Sequence, residues 1–169
     1  PSGQVGGMTM RLLRGVVIIA LLAAGLATAA EAQKRRLPYY VSIEASKARM
    51  RTGPGREFPA TWLYQRSGLP VRVIAIYKEW RKVEDPDGAS GWMQANLLSD
   101  SRTGYVMGTE AQMLDKPQFG ARLLWRAAPG VVGRISKCAR GWCWLDVRGR
   151  GGYVEVNRLW GVDRDEVIG

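Results

Sequence analysis

The sequence repeats itself once between residues 47 and 160, and this duplication constrains the fold more than any other feature. Ala48-Arg49-Met50 aligns with Ala111-Gln112-Met113 at an offset of 63 residues. Further pairs, at offsets of 61 or 62, are Phe58 with Phe119, Tyr64 with Trp125, Gly68 with Gly130, Trp80 with Trp142, Gly91-Trp92 with Gly152-Tyr153, and Asn96 with Asn157. A colinear series of this kind predicts two copies of one structural unit.

Each unit has the pattern of short strands separated by turns. Residues 71–77 are rich in β-branched side chains, and residues 80–84 form a second strand-like segment. Asp85-Pro86-Asp87-Gly88 between segments predicts a turn, since proline presets φ and glycine accepts a positive φ. This pattern favours a β-sandwich or barrel. Because a unit of about 60 residues buries little core alone, we expect the two units to pack together.

Three segments of the first unit resemble the bacterial SH3 domain family. They are Ala48-Arg49-Met50-Arg51-Thr52-Gly53-Pro54-Gly55, Trp80-Arg81-Lys82-Val83, and Gly91-Trp92 with Leu97-Leu98. The second unit resembles the family in Gly130-Val131-Val132-Gly133, Trp142-Cys143, Gly152-Tyr153-Val154 and Leu159-Trp160-Gly161, and departs from it at Leu114-Asp115-Lys116-Pro117. The resemblance implies five- or six-stranded, partly open barrels that act as targeting or binding modules in envelope proteins.

We therefore expect an all-β protein with two tandem small SH3-like barrels after an N-terminal signal peptide. The expected divisions are residues 1–32 for an upstream remnant plus signal peptide, 38–101 for the first barrel, 102–162 for the second, and 163–169 for a tail.

The first 32 residues have the three parts of a signal peptide. Arg11 and Arg14 precede an apolar run at residues 15–27, and Ala30-Glu31-Ala32 fits the small-x-small cleavage rule. Cleavage between Ala32 and Gln33 is expected, with residues 1–7 as an upstream remnant and a periplasmic or secreted mature protein. An uncleaved anchor is the alternative, although 13 apolar residues fall short of the about 20 that span a bilayer.

The chain carries a formal net charge of +10 and contains no histidine. The absence of histidine excludes Ser-His-Asp triads, Cys-His pairs and His-bearing catalytic zinc sites, and leaves carboxylate-pair or Ser-Lys chemistry open. After export, anionic envelope polymers or lipid headgroups are more plausible partners for this charge than nucleic acid. The alternative is that the charge only maintains solubility. We expect no metal and no cofactor.

Cys138 and Cys143 bracket four residues and are expected to face each other across a hairpin with a four-residue loop. Non-hydrogen-bonded antiparallel partners have Cα atoms at a distance compatible with a disulfide, and an oxidising compartment favours the bond. A redox-active pair usually has Cys-x-x-Cys spacing, and two thiolates fill only half of a zinc tetrahedron. The sequence thus favours a structural disulfide.

The aromatic residues divide into expected core and expected site. Trp80, Trp92, Trp142 and Tyr153 recur at matched strand positions, which favours the core. Trp144 follows Cys143 and points to the other strand face. An exposed Trp144 beside arginines suits a sugar or peptide ligand. The predicted ligand-binding residues are Trp144, Arg140, Arg148, Arg150, Trp125 and Tyr64. Alternatively, Trp144 covers the junction between the barrels.

These observations favour a non-enzymatic binding module that recognises peptidoglycan, a cell-wall peptide or an envelope protein. Two other classes stay open. One is a small envelope hydrolase using carboxylates or a Ser-Lys pair, and the other is a structural or assembly protein.

Overall fold

The computed structural model describes residues 35–169, and two sheets of short strands account for almost all regular structure in this range. Two single-turn 3₁₀ helices, Ala95–Leu97 and Val156–Arg158, are the remainder. In this part of the chain no helix has the length and apolar character needed to cross a membrane. The predicted signal peptide and its cleavage site at Ala32 and Gln33 lie outside the described residues.

The first sheet contains seven antiparallel strands in the spatial order β3-β2-β6-β5-β4-β1-β7. The strands are β1 (Tyr39–Ile43), β2 (Ala48–Arg51), β3 (Ala60–Tyr64), β4 (Pro70–Tyr77), β5 (Trp80–Glu84), β6 (Ser90–Gln94) and β7 (Leu98–Ser99).

The second sheet has the same order with every label raised by seven: β10-β9-β13-β12-β11-β8-β14. Its strands are β8 (Thr103–Val106), β9 (Ala111–Leu114), β10 (Leu123–Ala127), β11 (Val132–Ala139), β12 (Trp142–Val147), β13 (Arg150–Glu155) and β14 (Leu159–Trp160). Identical topology confirms the duplication and the predicted pair of SH3-like barrels. The count of seven exceeds the expected five or six because β7 and β14 are two-residue strands.

The strand register corrects one part of the sequence alignment. Met50 pairs with Trp62 across β2 and β3, and Met113 pairs with Trp125 across β9 and β10. The structural counterpart of Trp125 is therefore Trp62 and not Tyr64. The connections at residues 52–59 and 115–122 are equally long. The offset between the two copies therefore stays at 63 residues through β3 and β10, whereas the sequence alignment had shifted it to 61.

Each barrel has its own apolar core. The first is built from Val41, Ile43, Ala48, Met50, Tyr64, Val71, Val73, Val83 and Met93. The second is built from Val106, Ala111, Met113, Ala127, Ile135, Cys138, Cys143, Leu145, Val154, Val156, Leu159 and Val162. Trp80 and Trp142 are buried as expected. Trp92 and Tyr153 are only half-buried, because the alternation along β6 and β13 turns Met93 and Val154 inward and these rings outward.

A buried carboxylate organises the turn between β5 and β6. Asp85 accepts hydrogen bonds from the amides of Asp87 (3.0 Å) and Ala89 (2.8 Å), and from the Tyr64 hydroxyl (2.8 Å). Burial raises the pKa of Tyr64, and the hydrogen bond to Asp85 and the charges of Asp85 and Asp87 raise it further. The phenol therefore stays protonated as the donor that a buried carboxylate requires.

Cys138 and Cys143 form the predicted disulfide, with Cα atoms 4.1 Å apart. The loop differs from the expected four residues. Ala139 also pairs with Trp142, so the turn consists of Arg140 and Gly141 alone, both with positive φ as two-residue hairpins favour. The amide and carbonyl of Cys138 both bond to Ile168, which leaves Cys143 as its close, non-hydrogen-bonded partner.

The two barrels pack against each other within one compact unit, residues 36–169. The Trp160 ring lies edge-on to Tyr40 at 5.6 Å, and the Arg72 guanidinium lies 5.3 Å from the centre of Trp160. Trp160 thus packs across the junction, where the sequence suggested Trp144 as a candidate. Gly161 is required here, because a Cβ would lie 2.2 Å from the carbonyl oxygen of Thr103.

Arg102, in the short connection between the barrels, holds the C-terminal residues. Its guanidinium donates to the carbonyl of Gly161 (2.7 Å) and to both carboxylate oxygens of Glu166. Burial raises the pKa of Glu166. The hydrogen bonds from Arg102 and the Asp163 amide, together with the charge of Arg102, outweigh the effect of burial and lower the pKa below its ordinary value of 4.5.

We predict that removing the disulfide with the double variant Cys138→Ala, Cys143→Ala lowers the free energy of unfolding by about 2 kcal/mol, since the bond closes only a short loop. Urea unfolding of the variant and of the wild type, with and without reductant, measures the difference. Equal midpoints for oxidised wild type and the variant would contradict a stabilising role.

We further predict that Glu166→Gln costs about 1–2 kcal/mol at pH 7, because it leaves the partly buried Arg102 without its counter-charge. Because the pKa of Glu166 is lower in the folded than in the unfolded protein, its ionised carboxylate stabilises the fold at pH values above the unfolded-state pKa. This stabilisation is lost as the pH falls through the folded-state pKa. The variant should therefore lose less stability than the wild type below about pH 4.5.

The matched control is Glu110→Gln, which removes the more exposed carboxylate paired with Arg126 and should change stability by less than about 0.5 kcal/mol. Thermal unfolding between pH 3 and 7 compares the variants. Parallel pH profiles for Glu166→Gln and wild type would rule out the assigned role.

Candidate ligand-binding grooves

Trp144 lies on the outer face of the second sheet, in a small aromatic cluster. Its ring is edge-on to Tyr153 at 5.0 Å, and the Lys137 ammonium lies 5.5 Å from the Trp144 ring centre and 5.1 Å from that of Tyr153. Gly151 leaves room for the indole, since a Cβ there would lie 2.5 Å from it. Trp144 is half-buried by these contacts.

The other predicted site residues lie in three different places. The Arg150 guanidinium lies 5.1 Å from the centre of the Trp125 ring, and Arg150 shares a cavity with Arg148. Arg140 occupies the tip of the β11–β12 hairpin. Tyr64 is buried in the first barrel, with its hydroxyl bonded to Asp85. The structure therefore brings together Trp125, Arg148 and Arg150, and separates them from Tyr64. The ligand-binding role of these residues stays a prediction.

A basic groove on the first barrel has a tryptophan as part of its wall. The groove encloses about 320 Å³ and is lined by Lys47, Arg49, Arg51, Arg56, Trp80, Gln94 and Leu97. Arg49 and Arg51 share one face of β2 while Ala48 and Met50 enter the core, and Lys47 directly precedes the strand. Trp80 begins β5 and pairs with Gln94 of β6. Four cationic side chains thus converge beside one indole.

The groove continues past Trp80 into a second cavity of about 660 Å³. Arg56, Trp80 and Gln94 line both cavities, and the loop at residues 54–58 and the hairpin at residues 77–79 enclose the second one. We call the two cavities together the Trp80 groove.

The loop between β2 and β3 is held in place by Arg51. Its guanidinium donates to the carbonyls of Arg56 (3.1 Å) and Phe58 (2.7 Å). The Phe58 ring packs onto Gly53, where a Cβ would lie 2.4 Å from the ring. Arg51 is therefore a positioning residue, whereas Lys47, Arg49 and Arg56 are exposed and direct their charges to solvent.

The second barrel has a groove at the same place, with an altered lining. It encloses about 300 Å³ and includes Trp142. Six further lining positions correspond one to one: Glu110 replaces Lys47, Gln112 replaces Arg49, Leu114 replaces Arg51, Phe119 replaces Arg56, Glu155 replaces Gln94 and Arg158 replaces Leu97. We call this the Trp142 groove. The second copy keeps the tryptophan, lacks the four cations of the first groove and has one cation, Arg158, of its own.

Two charged side chains of the Trp142 groove have partners in the second barrel. Glu110 pairs with Arg126 at 2.8 Å, and Arg158 donates to the carbonyl of Thr109 at 2.8 Å. The Phe119 ring lies edge-on to Trp142 at 5.2 Å and is 76% exposed. This groove therefore offers an aromatic surface, while the Trp80 groove offers unpaired positive charge.

The chemistry of the Trp80 groove is that of anion recognition beside a largely buried indole. Guanidinium groups form bidentate hydrogen bonds with carboxylate or phosphate, and an indole packs against apolar sugar or peptide surface. Among residues 35–169, no group of three or more Cys, Asp or Glu side chains is placed to hold a metal ion.

Sequence reasoning missed this groove although a signal was present. Lys47, Arg49 and Arg51 alternate with Ala48 and Met50, which is the two-residue period of a strand with one cationic face. Arg56, Trp80 and Gln94 are distant in sequence, and only the folded sheet shows that they complete the same lining.

The comparisons with known proteins agree with this fold. A family model described as bacterial SH3 domain matches residues 44–100 and again residues 107–161. No curated protein sequence matches the chain.

Two solved structures are similar to the chain over limited lengths. NlpC1 from Trichomonas vaginalis is 11% identical, with a TM-score of 0.35 over 76% of this chain and 47% of that one. NlpC2 from the same organism is 12% identical, with a TM-score of 0.34 over 77% of this chain and 52% of that one. The chain therefore spans about half the length of these two proteins.

The family model covers most of the described residues in two consecutive matches, and each match contains six of the seven strands of one sheet and one tryptophan groove. The chain belongs to the bacterial SH3 domain family and carries two copies of the domain in tandem.

Proposed function

We propose that this protein is a non-enzymatic binding module of the bacterial cell envelope that recognises peptidoglycan through the Trp80 groove. The observation that carries the proposal is the convergence of Lys47, Arg49 and Arg56 beside Trp80. Peptidoglycan presents carboxylates on its peptides and apolar faces on its sugars. Guanidinium groups recognise the carboxylates, and the small exposed part of the Trp80 indole offers an apolar contact to the sugars.

Burial and charge support a recognition role for this groove. Trp80 is 4% exposed and gives the groove a rigid wall, so little side-chain entropy is lost when a ligand contacts it. In the described part of the chain, the recorded ion pairs do not include Lys47, Arg49 or Arg56. A carboxylate ligand therefore displaces no carboxylate of the protein from these side chains.

We propose a periplasmic location for the mature protein. The Cys138–Cys143 disulfide supports this location, because such bonds persist in oxidising compartments outside the cytoplasm. The net positive charge suits an environment of anionic polymers.

The test is co-sedimentation of the purified protein with insoluble peptidoglycan. We predict that the double variant Arg49→Ala, Arg56→Ala binds at least about tenfold more weakly than wild type, since each arginine contributes a charge-assisted hydrogen bond. Binding by the wild type should also weaken as salt is raised, because the attraction is electrostatic.

The matched control is Gln112→Ala, Phe119→Ala at the equivalent positions of the Trp142 groove, which should change the affinity less than about twofold. Circular dichroism checks that both variants fold. Wild type that stays in the supernatant, or a double arginine variant that binds normally, would contradict the assignment of the Trp80 groove. Soluble fragments released from peptidoglycan by the wild type would contradict a non-enzymatic role.

A further inference from the structure

A third cavity, which shares no lining residue with either tryptophan groove, lies where the barrels meet. It encloses about 480 Å³ and is lined by three arginines and three valines: Arg66, Arg148, Arg150, Val131, Val132 and Val147. Arg66 belongs to the first barrel, and the other five residues belong to the second. One wall is therefore apolar, and the rest carries three positive charges.

The three arginines are brought to the cavity by separate backbone segments. Arg66 follows β3, and its guanidinium donates to the carbonyl of Gly130 at 2.9 Å in the turn before β11. Arg148 lies in the turn between β12 and β13 with a φ of 54°, and Arg150 begins β13. The Arg150 guanidinium is stacked on Trp125 at 5.1 Å. One hydrogen bond holds Arg66 in place, and stacking on Trp125 holds Arg150. These contacts leave most N–H donors of the two guanidinium groups available to a ligand.

Acidic side chains are missing from the lining. The cavity wall contains no Asp or Glu, and the ion pairs recorded within residues 35–169 do not include any of the three arginines. Three positive charges around one cavity repel each other, and an anion among them removes that repulsion. The site is therefore complementary to a ligand of concentrated negative charge.

We propose that this junction cavity binds the phosphate group of an organic phosphate, with a sugar phosphate as the class it fits. Guanidinium forks match the oxygens of a phosphate group in a bidentate way. The cavity is larger than a phosphate group needs, and the three valines offer an apolar wall to the organic part. The site is separate from the Trp80 groove, so this proposal goes beyond peptidoglycan binding.

Isothermal titration calorimetry with glucosamine 6-phosphate tests the proposal, with inorganic phosphate and glucosamine, which lacks the phosphate group, as the other probes. Glucosamine 6-phosphate should bind, inorganic phosphate should bind more weakly, and glucosamine should not bind measurably. Because Arg66 and Arg148 come from different barrels, glucosamine 6-phosphate should also raise the melting temperature.

Two variants locate the binding. Arg148→Gly removes one guanidinium at a position where glycine accepts the positive φ, and Arg66→Lys keeps the charge but removes the fork. We predict at least about tenfold weaker binding of glucosamine 6-phosphate by Arg148→Gly, and weaker binding by Arg66→Lys. The matched control is Arg164→Ala, which removes an exposed arginine outside the cavity lining and should bind as wild type does.

The Arg49→Ala, Arg56→Ala variant separates the two sites, since it should retain sugar phosphate binding while losing peptidoglycan. No heat of binding with glucosamine 6-phosphate up to about 10 mM, or affinities unchanged in both Arg148→Gly and Arg66→Lys, would overturn the proposal. Equal affinity for glucosamine and its phosphate would overturn it as well.

Discussion

The alternation of side chains along β2 links the stability of the first barrel to its chemistry. Successive residues of a strand point to opposite faces, so Ala48 and Met50 enter the core while Arg49 and Arg51 face the groove. A shift of one residue in the β2 register would expose Met50 and bury a guanidinium, which is costly without a paired charge. The packing of Met50 against β3 and β6 therefore fixes the positions of the cations.

The two copies show which parts of the domain the fold requires. Ala48 and Met50 recur as Ala111 and Met113 in the second core, and Trp80 recurs as Trp142. The exposed positions between them differ completely, because side chains that face solvent do not determine whether the barrel forms. Glu110 stands where the first barrel has Lys47, and the charge is reversed at a position that does not pack in the core. Differences of this kind give one scaffold two surfaces of different chemistry.

The loop at residues 52–59 illustrates the same freedom. In the first barrel, Arg51 closes it by donating to two carbonyls, whereas Leu114 at the matched position has no polar group. The second loop is closed by Asp115 instead, which accepts from the amide of Arg122 and pairs with its guanidinium. Two different polar contacts thus give loops of equal length between equivalent strands.

The sequence predicted the features that depend on local pattern. A run rich in β-branched residues identified β4, and the spacing of Cys138 and Cys143 identified a cross-strand pair. The sequence alignment was wrong where matching similar residue types conflicted with the register of the strands. Aligning the rings of Tyr64 and Trp125 shifted the repeat, while the paired Met50 and Met113 show that loop length was the better guide.

The predicted site shows the second limit of sequence reasoning. The expectation of an exposed Trp144 rested on its strand face, and the face was right, since Cys143 is buried and Trp144 is not. Nearby residues Lys137, Gly151 and Tyr153 cover part of the indole, which no local pattern reveals. The Trp80 groove needs residues that are far apart in sequence, so only the sheet order brings them together.

The junction determines how the three candidate surfaces act together. Only residues 100–102 separate β7 from β8, and Arg102 at the end of this connection is tied to Gly161 and Glu166. Turning the second barrel against the first would break the contact of Trp160 with Tyr40 and the hydrogen bond from Arg66 to the Gly130 carbonyl. Binding surfaces held in a fixed relation lose little further entropy when a second segment of one polymer binds. A rigid junction therefore favours ligands long enough to contact more than one of these surfaces.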